Sequence, residues 1–365
     1  MVSQSKRFTV TLRRNQARST VCSVDVVNTG TSMPKVLAKC ILLTFVLSSS
    51  FAVAEPIKLK MAYFSSDREP PYVSVLKPFA DAVNRDANGV IEIEAYPGGT
   101  LGRSYAQQAQ LVLDGSVDMA WVNPGLTSEQ FPDQAVMEFP GLFRNTREAT
   151  LVYTRLVASL KGYDDFFVIA AVANYPLMIH TRPPIASLRD LRGMNFRVNN
   201  LTEGKALKAL GIVTVVMPVN EVSLAISRGT LDGTTMPPGS LFDYGISRIT
   251  RYHYVAPFGA APLVFLMNRK KFESLPKAGQ DLIRKYSGEW IATHFLEEYD
   301  LKNDQAMMRL KADPDRRVIF PPQAELNELQ ATFRTVIEDW RNNDPRNSEL
   351  LKLVETEIAK LRETH

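Results

Sequence analysis

The side chain in this sequence that is best suited to binding chemistry is Arg197. It lies near the end of a short predicted strand, Asn195–Val198, and is followed by Asn199 and Asn200. A guanidinium group presents five donors in a rigid fork, which suits it to holding a carboxylate through two hydrogen bonds. The commoner alternative is a surface arginine paired with a nearby Asp or Glu, and the local sequence leaves both interpretations open.

No other group of residues suggests catalysis or metal binding. The histidines, which are not spaced as metal ligands, are expected at the surface or in satisfied core positions; they are His180, His253, His294 and His365. The carboxylate pairs Asp164-Asp165 and Glu297-Glu298 have no partner base, and no Gly-x-Ser-x-Gly motif occurs. We therefore expect no catalytic residue, no metal and no cofactor.

The stretch from Leu188 to Met236 alternates between predicted strands and helices. The elements are the strand Asn195–Val198, the helix Thr202–Leu210, the strand Val213–Met217, the helix Glu221–Arg228 and a strand that ends at Met236. Two βαβ crossovers in fewer than 50 residues imply a parallel sheet with helices on its faces. Ligands bind such sheets beyond the carboxyl ends of the strands, which is where Arg197 is expected.

Particular residues set the ends and the burial of these elements. Gly211 and Gly229 follow the two helices, where glycine is common. Asn220 is predicted to be the N-cap of the second helix. The run Val213–Met217 is apolar and rich in β-branched residues, which predicts a strand buried on both faces.

The same stretch resembles the second lobe of the solute-binding proteins of tripartite ATP-independent periplasmic (TRAP) transporters. The matching segments are Pro184-Ile185, Asp190-Leu191-Arg192-Gly193-Met194-Asn195-Phe196-Arg197, Glu221-Val222 and Gly229-Thr230-Leu231-Asp232-Gly233. They follow the family's pattern in order and in spacing. The resemblance implies that Arg197 holds the carboxylate of the solute, and this becomes the favoured interpretation.

The segment before this stretch is similar to the family's first lobe. Ile57–Tyr63 and Val90–Tyr96 are predicted strands, with a helix over Val73–Val83 between them. The turn Pro97–Gly102 lacks the spacing of a phosphate-binding loop and matches a glycine-rich turn of the family. We therefore interpret this turn as structural.

The resemblance implies an α/β fold: a two-lobed periplasmic binding protein with a central cleft, hinge strands and a long helix spanning both lobes. Val168–Val172 and Pro262–Met267 are the predicted crossings, and the spanning helix is expected within Lys277–Leu310. The predicted division is residues 1–54 as leader and signal peptide, 55–173 as lobe I, 174–261 as lobe II, and 262–365 as hinge return, spanning helix and C-terminal helices.

Residues 1–54 have the properties of a leader. The apolar run Ile41–Leu47 follows two lysines and precedes small residues that end in Ala52-Val53-Ala54. This pattern is typical of a secretory signal peptide cleaved after Ala54, so we expect a periplasmic protein. We expect translation to start at Met33, and a twin-arginine signal at Arg13-Arg14 is the alternative.

Removal of the leader changes the charge and the cysteine content. The chain has 43 Lys and Arg and 39 Asp and Glu, of which residues 1–54 hold seven and one, so 36 and 38 are left and the net charge is −2. This balance gives no support to a nucleic-acid partner. Both cysteines, Cys22 and Cys40, lie in the leader, so no disulfide is expected. No later apolar run approaches the roughly 20 residues that span a bilayer.

The predicted binding site has a carboxylate clamp, polar supports from both lobes and an apolar wall. Its residues are Arg197 as the clamp, Asn200 and Asn123 as supports, Tyr63 and Phe64 closing from the first lobe, and Met236 and Phe258 in the wall. Packing in the core is the alternative role for the three aromatic residues.

Two departures from the family pattern bear on the solute. Family members that bind acidic sugars often carry a second arginine where this chain has Asn174-Tyr175-Pro176, and an asparagine where it has Met236. The loss of a cation and an amide favours a ligand with a single carboxylate. A methionine suits an apolar or aromatic ligand body, because the thioether adapts to irregular apolar shapes.

The expected function is therefore capture of an organic acid in the periplasm and its delivery to the membrane subunits of an ion-gradient-driven TRAP transporter. A monomer is the default expectation. One alternative is the binding protein of an ATP-driven importer or of a receptor-coupled sensor, which has the same two-lobed plan. The other is a secreted enzyme that uses the same cleft.

Overall fold

The computed structural model describes residues 55–363. The predictions about the leader, namely cleavage after Ala54 and a start at Met33, lie outside these residues, as does His365.

The described strands are β1 (Ile57–Ala62), β2 (Ile91–Tyr96), β3 (Met119–Val122), β4 (Phe166–Asn174), β5 (Met178–Thr181), β6 (Asn195–Val198), β7 (Val213–Val216), β8 (Gly233–Met236), β9 (Tyr252–Tyr254), β10 (Ala261–Asn268) and β11 (Arg317–Ile319). The described α-helices are α1 (Lys77–Asp86), α2 (Gln108–Leu113), α3 (Thr146–Leu156), α4 (Leu201–Ala209), α5 (Val219–Ser227), α6 (Pro238–Asp243), α7 (Arg269–Ser274), α8 (Lys277–Lys285), α9 (Glu289–Ala312), α10 (Gln323–Asn343) and α11 (Pro345–Glu363).

The first lobe is built on a five-stranded sheet with the order β2-β1-β3-β10-β4. β1 pairs in parallel with β2 and β3, whereas β10 pairs antiparallel with both β3 and β4. Successive residues of β3 enter different core clusters: Met119 and Trp121 pack in one, and Ala120 and Val122 in the other. Because neighbouring strand residues face opposite ways, both faces of this sheet are covered.

The second lobe is built on a six-stranded sheet with the order β11-β9-β5-β8-β6-β7. β6 pairs in parallel with β7 on one side and with β8 on the other, which confirms the two predicted βαβ crossovers. The strand Asn195–Val198 is confirmed with both of its predicted ends.

The prediction that Val213–Met217 is buried on both faces is wrong. The strand it forms, β7, is at the edge of its sheet, and Val213 and Val215 are 53% and 42% exposed. One face packs on α4, while the side chains of the other face are open to solvent. A fully apolar run indicates a strand but does not indicate its place in the sheet.

The predicted N-cap Asn220 is also wrong. Helix α5 begins at Val219, and Pro218 is its N-cap, with φ of −58° and ψ of 142°. Proline fixes φ near this value and has no N–H group, so the chain turns from extended to helical directly after Pro218. Asn220 therefore lies within the first turn of the helix.

The first-lobe helix predicted over Val73–Val83 has two parts. A π-helical turn, Tyr72–Leu76, leads directly into α1. Single π-helical turns are rare and are often found at functional sites. This one places Val73 and Ser74 on the wall of the cavity described below.

The chain crosses between the lobes at β4 and β10, and a long helix packs on both lobes. α9 has 24 residues, a length of about 36 Å. It packs on α6 of the second lobe and on β4 and the Tyr72–Leu76 turn of the first. The predicted spanning helix is confirmed, but it begins only after Gly288, which has φ of +64° and separates it from α8.

The C-terminal helices α10 and α11 confirm the predicted helices at the end of the chain. α10 packs on α4 of the second lobe, and α11 packs on α3 of the first. Together with the two sheets, these helices complete the expected two-lobed α/β fold. Within residues 55–363, every helix is too short or too polar to cross a membrane.

Candidate functional site

A cavity of about 70 Å³ lies where the two lobes meet α9. One water molecule needs roughly 10–15 Å³ of such space, so the cavity has room for several waters or one small organic molecule. Most of its wall is apolar, formed by Pro70, Pro71, Val73, Val219, Met236, Pro237, Ala261, Leu263 and Phe295. Ten polar or charged residues also line the cavity, and Arg197 is one of them.

Arg197 is 2% exposed and is held by groups of the second lobe. Its Nε donates to the carbonyl of Met217 at 2.8 Å, and its Nη1 donates to Asn199 Oδ1 at 2.8 Å and to the carbonyl of Thr235 at 3.4 Å. Among residues 55–363, Nη2 has no hydrogen-bond partner and no carboxylate lies within 4.0 Å of the guanidinium. One edge of the fork is therefore free.

Arg197 remains a cation at neutral pH. Burial lowers its pKa to about 10, and the negative charge of Glu203 partly opposes this shift. A buried charge without a partner costs free energy, and a carboxylate that hydrogen-bonds the free edge would offset this cost. The geometry is thus suited to receiving an anionic group from outside the chain.

Asn199 connects Arg197 to a buried glutamate. Its backbone N–H and its Nδ2 donate to Glu203 Oε2 at 2.7 and 3.1 Å. Glu203 is fully buried, and its Oε1 has no hydrogen-bond partner within the described part of the chain. Burial raises the pKa of Glu203 to about 7. The acid nearest to the clamp is therefore held behind Asn199 and does not form an ion pair with it.

Asn200, predicted to support the clamp, lies outside the cavity wall. It is the N-cap of α4: its Oδ1 accepts from the backbone N–H of Glu203 at 2.8 Å. Its Nδ2 donates to the carbonyl of Ala260 at 3.1 Å, so both polar ends are used within the fold. Asn199, one residue earlier, is the amide that lines the cavity.

The first lobe contributes Asn123 to the cavity, as predicted from its place after β3. Its Oδ1 accepts from the backbone N–H of Gly125 at 3.0 Å, which turns the chain after the strand. In the structure of residues 55–363, its Nδ2 has no hydrogen-bond partner. Asn123 therefore brings a free donor to the cavity from the lobe opposite Arg197.

Tyr63 and Phe64 were predicted to close the site but lie in the core behind it. Tyr63 donates its hydroxyl to Glu69 at 2.9 Å and is 1% exposed. Phe64 stacks on Tyr105 with ring centroids 3.9 Å apart, and it is Tyr105 that reaches the cavity. The alternation that runs through β1 predicts burial of Tyr63 but not of its neighbour Phe64, and it does not show that Tyr105 would reach the cavity.

The two residues predicted for the apolar wall differ in position. Met236 lines the cavity at the end of β8. Phe258 is fully buried in the core of the second lobe, with its ring between those of Tyr254 and Phe333, and it is absent from the wall. Core packing, the alternative for this residue, is what the structure has.

Two of the histidines meet in the core of the second lobe. Nδ1 of His180 lies 2.8 Å from Nδ1 of His253, and Nε2 of His180 lies 3.1 Å from the carbonyl oxygen of Met236. His253 Nε2 is buried and has no partner among the described residues. No group of three or more His, Cys, Asp or Glu in residues 55–363 is placed to hold a metal ion.

The sequence matches a known family over most of its length. The family is the bacterial extracellular solute-binding proteins, family 7 (DctP), and the match covers residues 61–343. The chain belongs to this family. The resemblance to TRAP solute-binding proteins, found first in the motifs around Arg197, is thereby confirmed.

Relatives of this solute-binding protein include a curated protein and solved structures. The 2,3-diketo-L-gulonate-binding periplasmic protein YiaO of Escherichia coli is 26% identical over 233 residues, which are 62% of this chain and 70% of that protein. A marine metagenome TRAP solute-binding protein specific for aromatic acids, solved with 3-hydroxybenzoate, is 27% identical with a TM-score of 0.77. A Rhodoferax ferrireducens TRAP protein, solved with copurified benzoate, is 25% identical with a TM-score of 0.77. Each of these two alignments covers 84% of this chain and 99% of the other.

Several cavity residues of this solute-binding protein were missed from the sequence. From loops and strand ends they are Tyr105, Asn174, Asn199 and Tyr244, and from α9 they are Phe295, Glu298, Tyr299, Lys302 and Asn303. The α9 residues recur every three or four positions, so they share one helix face. That periodicity could have predicted that these residues lie on one face of a helix. The sequence alone did not indicate that this face lines the cavity.

Proposed function

We propose that this protein captures an organic acid in the periplasm and delivers it to the membrane subunits of an ion-gradient-driven TRAP transporter. The favoured solute is a monocarboxylate with an apolar or aromatic body. The protein would act as a monomer that binds its solute and does not convert it. In this proposal residues 1–54 form the leader with its signal peptide, cleaved near Ala54.

The observation that carries the proposal is the unpaired, buried guanidinium of Arg197. Nη2 is free among the described residues, and no acid of residues 55–363 lies within 4.0 Å to neutralise the group. Arginine is too basic to lose its charge near neutral pH, and here its pKa is still about 10. A ligand carboxylate is the group that supplies the missing charge and accepts from the free edge of the fork.

The rest of the cavity supports a single carboxylate and an apolar body. The wall around Arg197 is formed mainly by proline, aliphatic and aromatic side chains, with Met236 at the end of β8. The other cation on the wall, Lys302, is already paired with Asp243 at 3.3 Å. The aromatic acids in the two solved relatives, both at least 25% identical to this chain, agree with this choice.

Capture would couple binding to closure of the lobes. Arg197 belongs to the second lobe and Asn123 to the first, so a ligand that contacts both is bound more tightly when the lobes are closed. A ligand shifts this equilibrium only by its difference in affinity for the two forms. Exclusion of water on closure strengthens the contact between guanidinium and carboxylate.

The test is thermal unfolding of the leaderless chain, Glu55–His365, with matched ligands. The series is benzoate, benzamide and benzylamine, which have similar bodies and differ in charge, together with lactate, succinate and glucuronate. A ligand at 100 times its Kd stabilises the fold by about 2.7 kcal/mol. We expect stabilisation by benzoate or another monocarboxylate and none by the amide or the amine.

Two results would contradict the proposal. Stabilisation only by neutral or cationic compounds would show that the cavity does not select a carboxylate. Tight binding of glucuronate with no effect of simpler acids would leave the organic-acid function in place but reject the apolar body.

A further inference from the structure

A second charged side chain in the cavity is not used by the carboxylate clamp. Asp243, the last residue of α6, lines the cavity. Its Oδ1 lies 3.3 Å from Nζ of Lys302, which α9 brings to the same wall. Its Oδ2 is buried and has no hydrogen-bond partner among residues 55–363. One oxygen of this carboxylate is thus engaged and the other is free.

The surroundings of Asp243 restrict what its second oxygen can bind. Burial raises the pKa of Asp243, whereas the contact with Lys302 opposes this rise. The side chain of Asp243 is 15% exposed and that of Lys302 is 38% exposed, so the pair lies at the margin of the cavity. A buried carboxylate oxygen requires a hydrogen-bond donor, which this part of the chain does not provide.

We propose that Asp243 Oδ2 accepts a hydrogen bond from a hydroxyl group of the bound acid. The solute would then be a hydroxy acid, with its carboxylate at Arg197 and its hydroxyl at Asp243, remote from the carboxylate. This inference rests on the proposed function, because it assigns the second polar group of the same ligand. Asp243 would be the residue that determines specificity between an acid and its hydroxylated analogue.

The charge balance selects a hydroxyl over the other polar groups. An ammonium at Oδ2 would lie beside Lys302, which already neutralises Asp243, and like charges repel. A second carboxylate would face Asp243 itself and Glu298 on the same wall. A hydroxyl donates one hydrogen bond and carries no charge, so it meets the need of Oδ2 without either repulsion.

The two anchor points, Arg197 and Asp243, both line the same cavity. Tyr244, the residue after Asp243, also lines the cavity, and its phenol is near enough to influence the pKa of Arg197. Both ends of the proposed contact therefore belong to one cavity of about 70 Å³. A ligand without a hydroxyl would leave this carboxylate oxygen without a donor.

The experiment compares acids of matched shape by calorimetry on the leaderless protein. The ligands are benzoate, 3-hydroxybenzoate, 4-hydroxybenzoate, 3-methoxybenzoate and 3-(aminomethyl)benzoate. For one hydroxyl isomer we expect a Kd lower than that of benzoate by about tenfold or more, since a site that hydrogen-bonds a hydroxyl discriminates strongly against its absence. The methoxy acid, which has no donor, and the ammonium acid should gain nothing.

The variants are Asp243→Ala, Asp243→Asn and the control Ser240→Ala, which removes a cavity hydroxyl from the same helix. We expect Asp243→Ala to reduce the preference for the hydroxyl to about one, because neither benzoate nor its hydroxylated analogue then meets a carboxylate at this position. Asp243→Asn keeps the volume and one acceptor oxygen, so it tests the proposal if the alanine variant does not fold. The preference of Asp243→Asn for the hydroxylated acid should be smaller than that of the original protein. Ser240→Ala should keep the full preference.

The outcomes separate this inference from the proposed function. Binding of benzoate without tighter binding of either hydroxyl isomer would overturn the inference alone. A preference that survives in both Asp243 variants, or disappears in Ser240→Ala, would also overturn it. If no acid binds at all, the proposed function fails and the inference fails with it.

Discussion

Two arginines of the second lobe are both almost buried but differ in what surrounds them. Arg316, just before β11, donates to Asp313 Oδ2 at 2.7 Å and to the carbonyls of Ser247 and Thr250 at 2.7 and 2.9 Å. Its side chain is 9% exposed. Arg197 has hydrogen bonds of similar length but no carboxylate within 4.0 Å among the described residues, and its Nη2 is free.

The difference indicates two roles for the same residue type. Arg316 finds its counter-charge three residues away in the chain, so its ion pair belongs to the fold. Arg197 has no such acid within 4.0 Å among residues 55–363, which supports the proposal that a ligand supplies its counter-charge. Burial alone does not separate these two arginines, whereas the presence of a paired acid does.

The largest expected effect is on ligand affinity in Arg197→Ala. For an acid that binds the original protein, we expect a loss of about 3–5 kcal/mol, because the ligand charge would be buried without a partner. This corresponds to a rise in Kd of at least about a hundredfold. The unfolding free energy of the ligand-free variant should change little, since an uncompensated buried cation is removed. Calorimetry and urea unfolding measure the two quantities. A Kd of the variant within about tenfold of the original value would reject Arg197 as the clamp.

The next effect is on stability in Arg316→Ala, the matched control for Arg197. We expect a decrease of about 1–3 kcal/mol in the unfolding free energy, because hydrogen bonds from a charged donor to two backbone carbonyls are lost. Ligand Kd should stay within about twofold of the original value. Urea unfolding and calorimetry on the same preparation check both. A large loss of affinity with unchanged stability would reverse the roles assigned to the two arginines.

The smallest effect concerns buried carboxyl groups that have no cationic partner among the described residues. Arg197, in contrast, is a buried cation without an anionic partner among these residues. Glu138 and Glu203 are buried, and no Lys, Arg or His of residues 55–363 lies within 4.0 Å of either. Burial raises the pKa of Glu138 to about 8 and that of Glu203 to about 7. A buried carboxyl group can avoid carrying a charge by keeping its proton. A guanidinium would have to lose a proton to become neutral, which it does not do near neutral pH.

The sign of the resulting pH dependence follows from the bound protons. Between about pH 4.5 and 8 the folded state keeps a proton on Glu138 that the unfolded state has lost, so this carboxyl lowers stability as the pH rises. Burial lowers the pKa of His180 to about 4 and also lowers that of His253, so below pH 6.5 the two imidazoles act in the opposite direction. The two carboxyls therefore dominate above pH 6.5.

We expect the unfolding free energy to fall between pH 6.5 and 8, by at most about 1.4 kcal/mol per pH unit for each carboxyl. Glu138→Gln, which keeps the volume, should flatten this slope and raise stability at pH 8. Glu129→Gln, a change at an exposed position in the same region, controls for the loss of one acidic residue. Urea unfolding at pH 6.5, 7.2 and 8 gives the slope. An unchanged slope in Glu138→Gln would mean that Glu138 is ionised in the fold at neutral pH.

Much of the fold was predictable because it depends on local pattern. The alternation of apolar and polar segments, with glycines at the ends of helices, predicted β6, α4 and the crossovers. The predicted end of β6 in turn gave the position of Arg197. The errors concern features that depend on contacts between distant parts of the chain. The run Val213–Met217 has the composition of a central strand, but its place at the edge depends on which strands pair elsewhere in the chain.

The site was less predictable for the same reason. The aromatic side chains of Tyr63 and Phe258 favour burial, but the sequence does not indicate what they pack against, and both lie in the core instead of on the cavity wall. Asn199 and Asn200 are neighbours with the same side chain. Only the capping geometry of α4 decides that Asn200 is used by the helix and that Asn199 faces the cavity.

The position of β10 has a consequence for how the chain can be made and divided. It fills the gap between β3 and β4, yet it follows all of β5 to β9 in the sequence. A nascent chain that has not reached residue 261 therefore presents two open strand edges in the middle of its first sheet, and open edges are templates for aggregation. A fragment that ends at residue 173 has the same defect permanently. The first lobe can be completed only after the sheet strands β5 to β9 of the second lobe have been synthesised.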